Sequence, residues 1–204
     1  MPGAPNRPPT IDAPPAPKPP DDEAARRVLR RLAPSRVALL LDLWRGAPSP
    51  ELLTPLARAE AAFDAGDNPG ASGDLDVLAV RFAEPRWPTL PHPFRELRVA
   101  IPAPQPPNWD PDHALSPEEK EARRARRAAA TQLALAEGVL AWLDAHGMGG
   151  PDAAALVETA RGLAAPDGPT PAAYAAVDAF WALVRSRVPA PRPAGARPAP
   201  TPGT

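Results

Sequence analysis

The sequence predicts a single all-α domain of about seven helices, packed as antiparallel hairpins around one long helix. Three observations predict this class. Apolar residues recur at steps of three and four through most of the chain, as they do on one face of a helix. Turns rich in glycine and proline separate those segments. Alternation typical of a strand occurs only in residues 95–101.

The long helix is expected between Ser116 and Gly147. Ser116 suits the N-cap, Pro117 suits the first helical position, and Glu119 completes a capping box. Gly147 favours a left-handed stop. These bounds predict a helix about 45 Å long. Its apolar stripe is formed by Ala122, Ala125, Ala129, Leu133, Ala136, Leu140 and Leu143.

Two helices are expected before residue 45, one on either side of Pro34. Asp21 and Asp22 begin the first, and Pro34 ends it because proline lacks an amide hydrogen and clashes with the preceding turn. Ser35 begins the second, whose apolar side chains leave hardly any polar side. A helix that is apolar nearly all round is usually buried, so we expect this one to be the central core element.

The next two helices, from about residue 50 to 65 and from about 71 to 83, are expected to form an antiparallel hairpin. This hairpin locally resembles one tetratricopeptide unit over about 30 residues, the length of one such repeat. The positions that carry the resemblance are Ala61, Gly66, Asp67 and Ala71. Asn68 stands where the repeat usually has tyrosine, and no second copy follows at the repeat period. We therefore interpret the segment as a generic helical hairpin.

Two further helices are expected after the long one. Asp152 is expected to cap a helix that runs to about residue 165. Thr170 and Pro171 begin a last helix that ends near Val188. The predicted folded domain therefore spans residues 21–188.

Residues 85–115 form a predicted extended wrap, because the ten prolines from Pro85 to Pro117 forbid a helix. Tryptophans and other apolar side chains in this stretch indicate an ordered segment laid across the helices rather than a plain linker. The Pro-rich arms, residues 1–20 and 189–204, carry too little apolar surface to fold and are expected to be disordered.

Composition excludes several classes of protein. The chain has no cysteine, which excludes disulfides, thiolate metal sites and a cysteine nucleophile. No apolar run approaches the roughly 18 residues needed to span a bilayer, and the N-terminus has no apolar signal core. We therefore expect a soluble cytoplasmic protein without a membrane partner. The net charge of −1 implies no strongly charged partner.

Two surfaces are candidates for binding. The first lies in the wrap, where tryptophan and arginine, both favoured interface anchors, are concentrated. It consists of Arg86, Trp87, Arg95 and Trp109. The alternative is that its tryptophans only anchor the wrap to the core. The second surface is the arginine face of the long helix, for which the alternative is a solvated face with local salt bridges. It consists of Arg123, Arg124, Arg126 and Arg127.

No catalytic or nucleotide-binding motif is present in the sequence. Asp110, Asp112 and His113 are of metal-ligating types, but Asp-Pro is typical of turns, and we expect neither a metal nor a cofactor. We predict a non-catalytic protein-interaction or adaptor module whose partner is another protein. Two alternatives stay open. One is a nucleic-acid-binding accessory protein that uses residues 123–127 and the basic tails, and the other is an enzyme with a non-standard site beneath the wrap.

Overall fold

A computed structural model describes residues 19–20, 22–44, 50–83 and 115–191, and in these ranges the chain is helical without strands. Almost all of the predicted wrap and of both predicted tails lies outside them, so those predictions stay predictions. No helix of the described ranges is long and apolar enough to cross a membrane. The described ranges hold six α-helices: α1 (Glu23–Trp44), α2 (Pro50–Asp64), α3 (Asn68–Ala83), α4 (Pro117–Ala145), α5 (Pro151–Ala160) and α6 (Pro171–Arg187).

The predicted break at Pro34 is wrong, because α1 is one helix with Pro34 inside it. The hydroxyl of Ser35 donates to the Arg31 carbonyl at 2.7 Å, a bond to the preceding turn that serine makes inside a helix. Proline in a helix costs about 3 kcal/mol or more. Burial of Leu32 and Val37, both 0% exposed, contributes about 1.5–3 kcal/mol each. Packing on both sides of Pro34 therefore offsets the local cost.

Helix α1, which includes the apolar segment from Ser35 that the sequence predicts to be central, contacts α2, α3, α4 and α6. Helices α2 and α3 pack against each other as a hairpin, and so do α5 and α6. Helix α4 packs on α1, α5 and α6. The core draws on all six helices, and its largest side chains include Phe180 and Trp181 of α6, which are fully buried. The arrangement is therefore centred on α1 rather than on the longest helix.

Helix α4 begins and ends as its sequence predicts. The Ser116 hydroxyl accepts a hydrogen bond from the Glu119 amide, and the Glu119 carboxylate accepts one from the Ser116 amide. Gly147 follows the helix with a φ of 68°. The predicted stripe is correct only in part, because Ala122 and Ala125 are exposed. The buried residues of α4 are Ala129, Leu135, Ala136, Val139 and Leu143. This face extends beyond the predicted stripe at Leu135 and Val139, since α4 packs against more than one helix.

The turns of the two hairpins lie where the sequence predicts them. Helices α3 and α5 begin at other residues than those predicted. Gly66 has a φ of 78°, as a left-handed turn residue should. Helix α3 begins at Asn68, because the Asp67 carboxylate accepts a hydrogen bond from the Gly70 amide at 3.0 Å. Thr170 caps α6 through the Ala173 amide, as predicted. Gly150, and not Asp152, is the N-cap of α5, which continues from Ala160 into a short 3₁₀ turn.

A buried ionic cluster joins the far ends of α1, α2 and α6. Arg36 donates to the Glu60 carboxylate at 2.6 Å and to the carbonyls of Arg185 and Val188. Arg185 donates to Glu60 at 3.0 Å and to Asp64 at 2.6 Å. Arg36 and Glu60 are the buried residues of this cluster, and each has more than one partner. A buried ion pair is tolerated under this condition.

The core packing makes a direct prediction for leucine truncation. Leu32 is fully buried in α1, whereas Leu140 of α4 is only half-buried. We expect Leu32→Ala to lower the free energy of unfolding by about 2–5 kcal/mol and Leu140→Ala to lower it by less. Urea denaturation of the two variants measures both changes, and an unchanged midpoint for Leu32→Ala would contradict the packing.

A second prediction concerns the ion pair that ties α5 to α6. Arg187 donates to Asp152 at 2.5 Å. This hydrogen bond lowers the pKa of Asp152 despite the opposing effect of burial, and the Ala153 amide adds to the lowering. A lowered folded-state pKa contributes stability above the unfolded pKa, and that stability is lost as the pH falls through the folded value.

We therefore expect Arg187→Met to raise the pKa of Asp152, because the first cause of the lowering is removed. Carboxyl carbon NMR titration measures the change. Arg58→Met is the matched control, since Arg58 pairs with Asp74 and not with Asp152. Equal Asp152 titration curves in both variants would show that Arg187 does not hold this carboxylate.

Candidate functional site

A cleft of about 860 Å³ opens between the N-terminal half of α1, the start of α3, the middle of α4 and Tyr174 of α6. Its volume lies within the range of ligand-binding clefts, about 300–1,000 Å³. Five of its lining residues are arginines, and none of the lining residues that the structure describes is an aspartate or glutamate. We call it the arginine cleft. Its arginines are Arg27, Arg30, Arg31, Arg124 and Arg127.

The two long walls of the cleft are single faces of α1 and α4. On α1 the lining residues Ala24, Arg27, Val28 and Arg31 follow one another at steps of three, one and three, so they share one face. On α4 the same steps separate the lining residues Arg124, Arg127, Ala128 and Thr131. Each wall therefore combines small apolar side chains with arginines one turn apart.

Arg30 is held rigidly at the inner side of this cleft. Its Nε and Nη2 donate to the two carboxylate oxygens of Asp178 at 2.6 and 2.8 Å, and Asp178 is only 1% exposed. The guanidinium also lies 5.3 Å from the ring centre of Tyr174. Burial lowers the pKa of Arg30, but the hydrogen bonds and charge of Asp178 outweigh it, so the pKa is raised above its ordinary value. Arg30 is therefore charged and fixed in orientation.

Arg31 fixes the end of the cleft nearest to α3. Its Nη1 donates to the Ser72 hydroxyl at 3.1 Å, and its Nη2 donates to Asp76 at 2.5 Å. On the opposite wall, Gln132 accepts a hydrogen bond from the buried Trp181 indole at 2.9 Å. These bonds join α1 to α3 and α4 to α6, so they set the positions of the walls.

Glu23, at the start of α1, contacts two arginines of the cleft, Arg27 and Arg30, from the rim. One of its oxygens lies 3.2 Å from Arg30 Nη1 and 3.9 Å from Arg27 Nε, and the other lies 3.9 Å from Arg26 Nη1. The Glu23 side chain is 52% exposed. Only the contact with Arg30 is short enough to be a hydrogen bond.

The two α4 arginines of the cleft are the least engaged. Arg124 is 3.8 Å from Glu121, and both side chains are more than three-quarters exposed. Exposed pairs of this kind contribute about 0–1 kcal/mol. Arg127 is exposed and makes no ion pair within the part of the chain that the structure describes. The α4 wall therefore carries one positive charge, that of Arg127, that no carboxylate of the described ranges pairs with.

The structure divides the predicted arginine face of α4. Arg124 and Arg127 line the cleft, whereas Arg123 and Arg126 are exposed outside it. The predicted surface in the wrap lies outside the described residues, and so do the potential metal ligands Asp110, Asp112 and His113. Within the described ranges no three His, Cys, Asp or Glu side chains gather where they would hold a metal ion.

Sequence reasoning missed the α1 arginines. The signal was present, because RRVLRR at residues 26–31 repeats two adjacent arginines at a spacing of four, which places Arg27 and Arg31 on one helix face. That signal would have found a basic face on α1. It would not have shown that this face opposes α4.

Comparison of the chain with protein-family models, with curated proteins and with solved structures finds no match in any of the three.

Proposed function

We propose that this chain is a non-catalytic protein-interaction module that takes an acidic segment of a partner protein into the arginine cleft. The observation that carries the proposal is the lining, in which the described residues supply five arginines and no carboxylate. Arginine and aromatic side chains are enriched at interaction hot spots, and a guanidinium binds a carboxylate with two parallel hydrogen bonds. Tyr174 adds an aromatic ring to the lining.

Local charge favours a short acidic segment over a nucleic acid. Four of the five cleft arginines already face a carboxylate of the protein: Arg27 and Arg30 face Glu23, Arg31 faces Asp76, and Arg124 faces Glu121. The whole chain carries a net charge of −1. A nucleic-acid site needs a basic stripe that neutralises many phosphates, whereas one acidic segment brings only a few charges.

Apolar surface in the same cleft supports an extended contact rather than the capture of a free inorganic ion. Ala24 lies one turn before Arg27 on α1, Val28 lies between Arg27 and Arg31, and Ala128 lies beside Arg127 on α4. A partner segment with small or apolar residues next to its carboxylates would bury this surface while its carboxylates meet the arginines. Burial contributes roughly 25 cal/mol per Å² of apolar area. The surface predicted from Arg86, Trp87, Arg95 and Trp109 stays a second prediction for the same function.

Charge reversal on α4 tests the proposal. We expect Arg127→Glu to weaken binding of a short fluorescent peptide of alternating glutamate and alanine by at least about tenfold. A hydrogen bond to a charged group contributes about 1.5–3 kcal/mol, and 1.4 kcal/mol corresponds to tenfold in affinity. Fluorescence anisotropy measures the dissociation constants.

Arg126→Glu is the matched control, because it makes the same charge change one residue away, outside the cleft. We expect it to bind the peptide nearly as the unmodified protein does. Equal losses in the two variants would indicate a general effect of helix charge and contradict a cleft site. A single-stranded RNA that binds more tightly than the peptide, with a steep salt dependence, would favour the nucleic-acid alternative.

A further inference from the structure

We infer that Glu23 occupies the position of a ligand carboxylate in the arginine cleft, so that the protein's own side chain competes with its partner. The inference rests on the proposed function and adds to it a defined subsite, formed by Arg27 and Arg30, for one carboxylate of the partner's acidic segment. It also assigns a regulatory effect to Glu23, which lies at the rim rather than among the lining residues.

The first step of the argument is the orientation of Arg30. Two of its three nitrogens are committed to Asp178, which is buried and cannot move without leaving the core. The third, Nη1, is directed to Glu23 at 3.2 Å. A donor held in place by a buried partner is preorganised, so an anion that meets it does not have to immobilise that side chain.

The second step is the weakness of the contact that Glu23 makes. Its side chain is 52% exposed, and exposed ion pairs contribute only about 0–1 kcal/mol. The same oxygen is 3.9 Å from Arg27 Nε, beyond hydrogen-bonding distance. A carboxylate that enters from the cleft and lies between Arg27 and Arg30 would bond to both. Glu23 is therefore replaceable by a better placed group of the same chemistry.

The third step is the position of Glu23 on its helix. It lies in the first turn of α1, so its backbone fixes the distance to Arg27 and Arg30, which lie four and seven residues further along the same face. The carboxylate can withdraw into solvent by side-chain rotation alone. Displacement by a partner thus requires no movement of the helices that form the cleft walls.

Neutralisation of Glu23 tests the inference. We expect Glu23→Gln to raise the affinity for the glutamate–alanine peptide about two- to fivefold, the change that corresponds to losing one exposed ion pair. Glu158→Gln is the control for net charge, because Glu158 is an exposed glutamate that pairs with Arg161 away from the cleft. The gain should disappear when Glu23→Gln is combined with Arg27→Gln, since a double-mutant cycle isolates the pairwise contribution.

A second readout separates this inference from the proposed function. Acetate is a bare carboxylate, and in Glu23→Gln it should shift the side-chain N–H NMR resonances of Arg27 and Arg30 at concentrations that leave the unmodified protein unchanged. Resonances that respond equally in both proteins would overturn the competition, whether or not the peptide binds. If Glu23→Gln binds the peptide no better than Glu158→Gln while Arg127→Glu still weakens binding, the proposed cleft site is retained and the competition by Glu23 is contradicted.

Discussion

The ion pair between Arg30 and Asp178 is the interaction on which both the fold and the cleft depend. A buried carboxylate is costly unless a partner satisfies it, and Asp178 meets that condition through two hydrogen bonds from one guanidinium. The two-bond geometry fixes the rotation of α1 against α6. Arg27 and Arg31 lie on adjacent turns of α1, so the same rotation decides that they face the cleft. One buried contact therefore positions the exposed arginines of the proposed binding site.

The arginines of α1 serve different purposes along one helix. Arg31 joins α1 to α3 through Ser72 and Asp76, and Arg36 joins it to α2 and to the end of α6. Among the described residues, the ion pair of Arg27 is a long contact with Glu23, at 3.9 Å. Apolar packing brings the helices together, and these directional bonds select one arrangement among those that packing would tolerate. Within the described ranges Arg27 joins α1 to no other helix, and it is one of the arginines of the proposed binding site.

Local signals predicted the local structure well. The capping box at Ser116, the turn at Gly66 and the cap at Thr170 each depend on neighbouring residues, and each is present. The break at Pro34 was wrong because tertiary burial around Leu32 outweighed a local preference. The cleft could not be derived in the same way. Arg27 and Arg127 are a hundred residues apart, and helical periodicity shows which side chains share a face but not which faces oppose one another.

The packing contacts divide the described helices into two groups that both contact α1. Among the described helices, the α2–α3 hairpin has backbone packing contacts only with α1, and the side chain of Arg185 adds the link to α6. The arginine cleft lies across this division, with the start of α3 on one side and α4 on the other. A ligand that contacts both α3 and α4 would connect the α2–α3 hairpin to the group of helices that contains α4, and α1 is shared by both groups. The affinity for such a ligand is then thermodynamically linked to the angle between the two groups of helices. A change in the angle changes the affinity, and binding of the ligand changes the angle.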